Sequence, residues 1–113
     1  VAAAGDGVTD VDDQVNDALK ALANPIRRQM LGWLRDPRAN FPTGQGAADL
    51  DEYGVCVSQL QEKAGLAQST VSSYMASLER ADLVIGARVG KWTHYRRNEE
   101  RIARLIEVLD RTL

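Results

Sequence analysis

Two hydrophobic rhythms meet at Ala81-Asp82-Leu83, and the change between them narrows the choice of fold more than any other feature of the chain. Before that junction Val71, Met75 and Leu78 recur at four- and three-residue steps, which sets them on one side of a helix. Gln68, Ser69, Ser72 and Ser73 fall elsewhere on the same helix. After the junction, Val84, Ile85, Arg88 and Val89, then Trp92, Thr93 and Tyr95, read as two strands about a tight Gly90-Lys91 turn. Upstream, Val57, Leu60 and Ala64 give a short helix that Gly65 ends. The order is therefore helix, turn, helix with a polar outward face, then a hairpin with basic residues at and near its tip.

A chain of 113 residues supports one modest core, so a single domain is expected. Residues 1–9 are small, Gly-rich and aperiodic and read as a flexible arm, leaving 10–113 as the domain. Val11, Val15, Ala18, Leu19 and Leu22 predict a first helix. Asn24-Pro25 opens a second, striped by Ile26, Met30, Leu31 and Leu34 and ending near Arg35. From Asp36 to Gly54 prolines and glycines break every period and predict a long connection, anchored to the core by Phe41 and Tyr53. Ile102, Leu105, Ile106, Leu109 and Leu113 stripe a final helix from about Asn98. The fold class is mainly α (α+β), with about five helices and a two-stranded hairpin.

Charge is unevenly placed. The net charge is −2, yet between Gln68 and Arg97 the cations Arg80, Arg88, Lys91, Arg96 and Arg97 outweigh Glu79 and Asp82. Short polar side chains beside cations are what duplex DNA demands of a compact reader, with base edges for the former and phosphates for the latter. No apolar run approaches membrane-spanning length and no secretory leader is evident, so a cytoplasmic location is expected. With one histidine and one cysteine the chain offers no Ser/His/Asp set, and neither a phosphate-binding glycine loop nor paired catalytic carboxylates appear, so an enzyme is not expected.

From Leu19 to Leu113 the chain resembles the ArsR/SmtB family of winged-helix transcriptional regulators. The likeness rests on Leu19-Lys20-Ala21-Leu22-Ala23-Asn24-Pro25-Ile26-Arg27, Gln68-Ser69-Thr70-Val71-Ser72, Leu78-Glu79-Arg80-Ala81-Asp82-Leu83-Val84 and Gly90-Lys91-Trp92. It implies a winged helix-turn-helix homodimer, joined through its first and last helices, that presents two recognition helices to a roughly palindromic operator, as a repressor blocking polymerase or, depending on operator position, as an activator. The leucine- and isoleucine-rich final helix independently asks for a partner to cover it.

By this resemblance Gln68, Ser69, Thr70, Ser72, Ser73 and Tyr74 are the DNA-contacting residues of the recognition helix. Ser73 and Tyr74 depart from the arginine and histidine frequent in relatives, and Tyr74 has the alternative of closing over the core. Glutamine can pair bidentately with adenine, and serine hydroxyls donate or accept. Lys91 and Arg88 are assigned to phosphate or the minor groove, Arg27 and Arg28 to backbone contact, and Arg96 and Arg97 either to DNA or to pairs with Glu99 or Glu100. Trp92 and Tyr95 are expected to pack into the core.

Many relatives release DNA on binding a metal through a Cys-x-Cys pair. The matching segment, Gly54-Val55-Cys56-Val57-Ser58, keeps one thiol and replaces the second with a hydroxyl, a poor ligand for soft metals. The final helix has no histidine to form the family's other sensor site. Cys56 and His94 remain the only candidates for a non-standard nickel- or zinc-type transition-metal site, completed by carboxylates across a dimer. Cys56 reads first as a small buried apolar residue, with a redox role as the alternative. The competing reading from another class is a winged-helix protein-interaction module without DNA binding.

Overall fold

A computed structural model describes residues 13–41 and 50–113. The expected arm over residues 1–9 and the middle of the 36–54 connection lie outside the described residues. Helix α1 covers residues 13–22. Asn24 then starts α2, Pro25–Arg35, its side-chain oxygen accepting from the amides of Ile26 at 2.8 Å and Arg27 at 3.2 Å. Pro25 needs no partner for the amide it lacks, so the first turn is satisfied with few orphan donors.

The connection after α2 holds more structure than its broken periodicity predicts. Asp36 accepts from the Ala39 amide at 3.3 Å and opens α3, Pro37–Asn40; α4 spans Leu50–Tyr53. Each is a single turn, too short for hydrophobic spacing to reveal. Phe41 is buried in the core as expected, with its ring edge-on to Trp33 at 6.4 Å, and Tyr53 is half-buried.

Helix α5, Val57–Ala64, stops at Gly65 in the left-handed conformation, and α6, Gln68–Arg80, follows. Strands β2, Val84–Val89, and β3, Trp92–Arg97, pair antiparallel with Val89 opposite Trp92, so Gly90-Lys91 forms the expected turn. A third strand joins them: β1, Val55–Cys56, pairs with β3 through Val55 opposite Tyr95 and Cys56 opposite His94, giving the order β1-β3-β2. The entry to β1 is tight. At Gly54, φ is 87° and any side-chain carbon would collide with the carbonyl oxygen of Tyr95, so only glycine lets the two backbones approach there.

The last helix, α7, covers Glu99–Thr112 and follows β3 after the single residue Asn98, whose side chain accepts from Arg101 N–H at 3.3 Å while its own amide donates to Leu83 O at 2.9 Å. One core joins the elements. Met30, Leu60, Met75, Leu78, Leu83, Val55, Val71 and Val84 are its fully buried members, each of the larger ones worth about 1.5–3 kcal/mol by the area it removes from water. Among the described residues no helix is long and apolar enough to cross a membrane.

Candidate nucleic-acid interface

Helix α6 is fixed from below and open above. Val71, Met75 and Leu78 are fully buried, and that anchorage leaves Gln68, Ser69 and Ser73 exposed, with Thr70 and Ser72 half-exposed beside them. No side chain caps its first turn, so the N-terminal amides lie at the end where a helix dipole favours an anion. Tyr74 takes a different course from its neighbours. It is half-buried against the core, and the Arg27 guanidinium lies over its ring at 5.5 Å from the centroid.

Arg27 and Arg28 also reach back to α1. The Arg27 Nε donates to Ala21 O at 2.7 Å and its terminal nitrogen to Lys20 O at 3.2 Å, while Arg28 donates to Leu22 O. Both guanidinium groups thus donate to the open carbonyls at the end of α1. Arginine just after a helix end is a recognised carbonyl partner, but which cation turns back is a tertiary matter.

The hairpin carries exposed cations. Lys91 at the turn and Arg88 on β2 are exposed, and the Arg88 Nε donates only to the nearby Gly90 O at 3.3 Å. Arg97 is taken up by Glu99 at 2.8 Å, as its spacing allowed, whereas Arg96 is exposed. Tyr95 packs into the core as expected. Trp92 does not: it is 48% exposed beside the turn. The two aromatics lie an odd number of residues apart, and in a strand odd spacing sends side chains to opposite faces, so one core could not receive both.

Helix and hairpin are held together. The Glu79 carboxylate, near the end of α6, accepts from the Gly86 amide on β2 at 3.2 Å. Burial pushes the Tyr95 phenol above the ordinary tyrosine range, and the charge of Glu79 adds to the effect. The helix that bears the polar face and the hairpin that bears the cationic tip are thus joined by a direct hydrogen bond.

No family model matches the chain. Against individual proteins it is 43% identical over 93 residues to the HTH-type transcriptional regulator YbzH of Bacillus subtilis, covering 82% of this chain and 92% of that one. It is also 31% identical over 106 residues to ArsR2, an arsenical resistance operon repressor of Halobacterium salinarum, covering 92% of this chain and 76% of that protein. The chain belongs to the ArsR/SmtB family of winged helix-turn-helix transcriptional regulators. Among solved structures, the homodimeric winged helix-turn-helix DNA-binding domain of Mb0332 from Mycobacterium bovis superposes with a TM-score of 0.67 at 27% identity, covering 93% of this chain and 82% of that one. An ArsR/SmtB regulator is not an enzyme, in agreement with the absence of a catalytic set in the sequence.

Membership in the ArsR/SmtB family raises the question of a metal, and the donors answer it. Cys56 is buried with its sulfur 3.2 Å from the Ser58 hydroxyl, so the position of a second thiolate is held by a neutral oxygen. This pair does not fit the thiolate chemistry that arsenic, cadmium or lead requires. His94 is the Cα partner of Cys56 across the sheet, is buried, and has an Nδ1 with no hydrogen-bond partner among the described residues. The two sequence candidates are therefore neighbours. They supply only two donors, and among the described residues no group of three or more His, Cys, Asp or Glu is placed to hold an ion.

Proposed function

We propose that the protein is a dimeric transcriptional repressor that lays α6 of each subunit in the major groove of a roughly palindromic operator. The observation that carries this reading is the exposed Gln68, Ser69 and Ser73 face, coupled through the Glu79 to Gly86 hydrogen bond to a hairpin whose Arg88 and Lys91 are exposed. Gln68 reads a base edge, with adenine the matched partner; Ser69, Thr70, Ser72 and Ser73 contribute shorter contacts to bases or sugar-phosphate. Tyr74, half-buried against the core with the Arg27 guanidinium over its ring, supports the helix and presents only its rim to the duplex.

Two copies are needed because one helix reads too few base pairs for selectivity, and a twofold pair sets half-sites about 34–36 Å apart. The surface for pairing is the outer face of α1 and α7. Leu19 is 44% and Ile106 61% exposed, and Val108 is the sole buried residue of α7. Those apolar groups are covered in a homodimer, the assembly named for the Mb0332 domain. Such a regulator acts in the cytoplasm, with the chromosome as its partner.

Gel-shift titration with duplexes tiling the region upstream of the chain's own gene, competed by random duplex, tests the proposal together with sedimentation of the free protein. A selective complex of two chains per site is expected. A strictly monomeric chain, or equal affinity for every duplex at low ionic strength, overturns it in favour of a protein-interaction module.

A further inference from the structure

We infer that Trp92 is an aromatic DNA contact of the hairpin, its indole laid against deoxyribose and base edges in the groove whose phosphates Lys91 and Arg88 meet. The inference rests on the DNA-binding reading above and adds to it a residue whose chemistry is not charge. Trp92 is half out in solvent, at 48%, in a chain that hides its other strand aromatic, Tyr95, to 7%. Its directly opposed neighbour is Val89, the residue on the other side of the Gly90-Lys91 turn, so one part of the indole has an intramolecular partner and the rest has none described. The exposed part of the indole contributes nothing to folding and is left available to a partner.

Charge selects what covers it. From Val84 to Arg97 the hairpin bears Arg88, Lys91, Arg96 and Arg97 and no carboxylate. Arg97 is paired with Glu99, while Lys91 directly precedes Trp92 and Arg96 follows further along the same strand face, both exposed, with Arg88 exposed on the neighbouring strand. An aromatic plane between cations suits a polyanion that also offers flat apolar surface, which describes nucleic acid better than a protein or a lipid headgroup. Position agrees, because the hairpin follows α6 directly and is hydrogen-bonded to it through Gly86 and Glu79.

The test uses the full chain carrying Trp33→Phe, which leaves Trp92 as the sole tryptophan, alongside the unaltered chain. The probes are a random-sequence duplex at low ionic strength and duplexes from the gene's own upstream region. Saturation with duplex is expected to shift Trp92 emission and to cut its quenching by acrylamide. Trp92→Ala is expected to weaken binding roughly tenfold, Trp92→Phe to restore most of the loss, and Trp92→Leu, which keeps an apolar cover on Val89, to restore little. Unchanged acrylamide access at saturation, or Trp92→Leu binding as well as the unaltered chain, overturns the inference while leaving the DNA-binding reading in place. Absence of any binding by the unaltered chain overturns both. If Trp92→Ala fails to fold, the Phe and Leu variants decide the matter.

Discussion

Arg101 on α7 donates to the carboxylate of Asp82 across 3.1 Å, and Asp82 occupies the left-handed region at φ 61° in the turn from α6 to β2. It is the one non-glycine residue with positive φ among the described residues. Leu83 N–H donates back to Leu78 O at 2.9 Å, the bond that closes a helix ending on a left-handed residue, a place usually given to glycine. Aspartate tolerates that conformation better than most side chains, and Arg101 fixes it there.

Replacing Asp82 therefore separates backbone cost from charge. Asp82→Gly removes a left-handed penalty of about 1 kcal/mol and loses an exposed ion pair worth about 0–1 kcal/mol, so urea unfolding should find it within about 1 kcal/mol of wild type. Asp82→Val forces a β-branched residue into the same turn and should destabilise by about 2 kcal/mol or more. Equal stabilities for Gly and Val would contradict the assigned backbone.

Gly54 and Gly90 should respond differently to alanine although both have positive φ, 87° and 63°. At Gly90 a methyl meets open space, so only the conformational cost of about 1 kcal/mol is felt. At Gly54 it meets the backbone of Tyr95, and β1 must detach or β3 must shift. A loss of about 3 kcal/mol or more is expected for Gly54→Ala, read by denaturant unfolding, with Gly90→Ala close to native.

Lys91 and Gln68 should fail in different ways. Lys91→Ala is expected to weaken specific and random duplex binding alike and to lower the salt-dependence slope by about one, whereas Gln68→Ala should erode discrimination by about 1–3 kcal/mol with little change in slope. Titrations at several salt concentrations separate them, and identical profiles would reject the division of labour.

Tyr95 sets an alkaline limit. Its phenol ionises above the ordinary value near 10 when folded, because burial and the Glu79 charge disfavour the anion. The unfolded chain thus gives up this proton first, so the contribution is fully present below about pH 10 and is lost as pH rises through the folded value. Tyr95→Phe should flatten that part of the stability profile, and phenolate absorbance should show one tyrosine titrating late.

Ile106→Glu should act on assembly alone. The side chain is 61% exposed, so the subunit should retain its unfolding midpoint in dilute conditions where it is already monomeric, while sedimentation shifts to monomer and operator affinity falls at least tenfold. A charged residue accepted without change in mass would move the pairing surface elsewhere.

Most of the scaffold was legible because its signals were local. Gly65, Asn24-Pro25 and Gly90-Lys91 act through φ and capping within a few residues, and each falls where the sequence predicts a boundary. What stayed hidden depends on distant partners. Val55 and Cys56 are too few to show alternation and become a strand only by meeting Tyr95 and His94. Nothing near Tyr74 announces that Arg27 will stack on it, and nothing near Arg27 announces that α1 will claim its donors. Trp92 is the instructive error, since hydrophobicity argued for burial while strand parity, equally readable, argued against sharing a face with Tyr95.

Only Asn98 stands between the hairpin and α7, and it is pinned to Leu83 at the other end of the reading helix's exit turn. A joint so short has no slack. In the proposed dimer, a tilt of one terminal helix against the other would carry the attached hairpins with it, so the spacing of the two DNA-facing surfaces would change with no contact made at those surfaces.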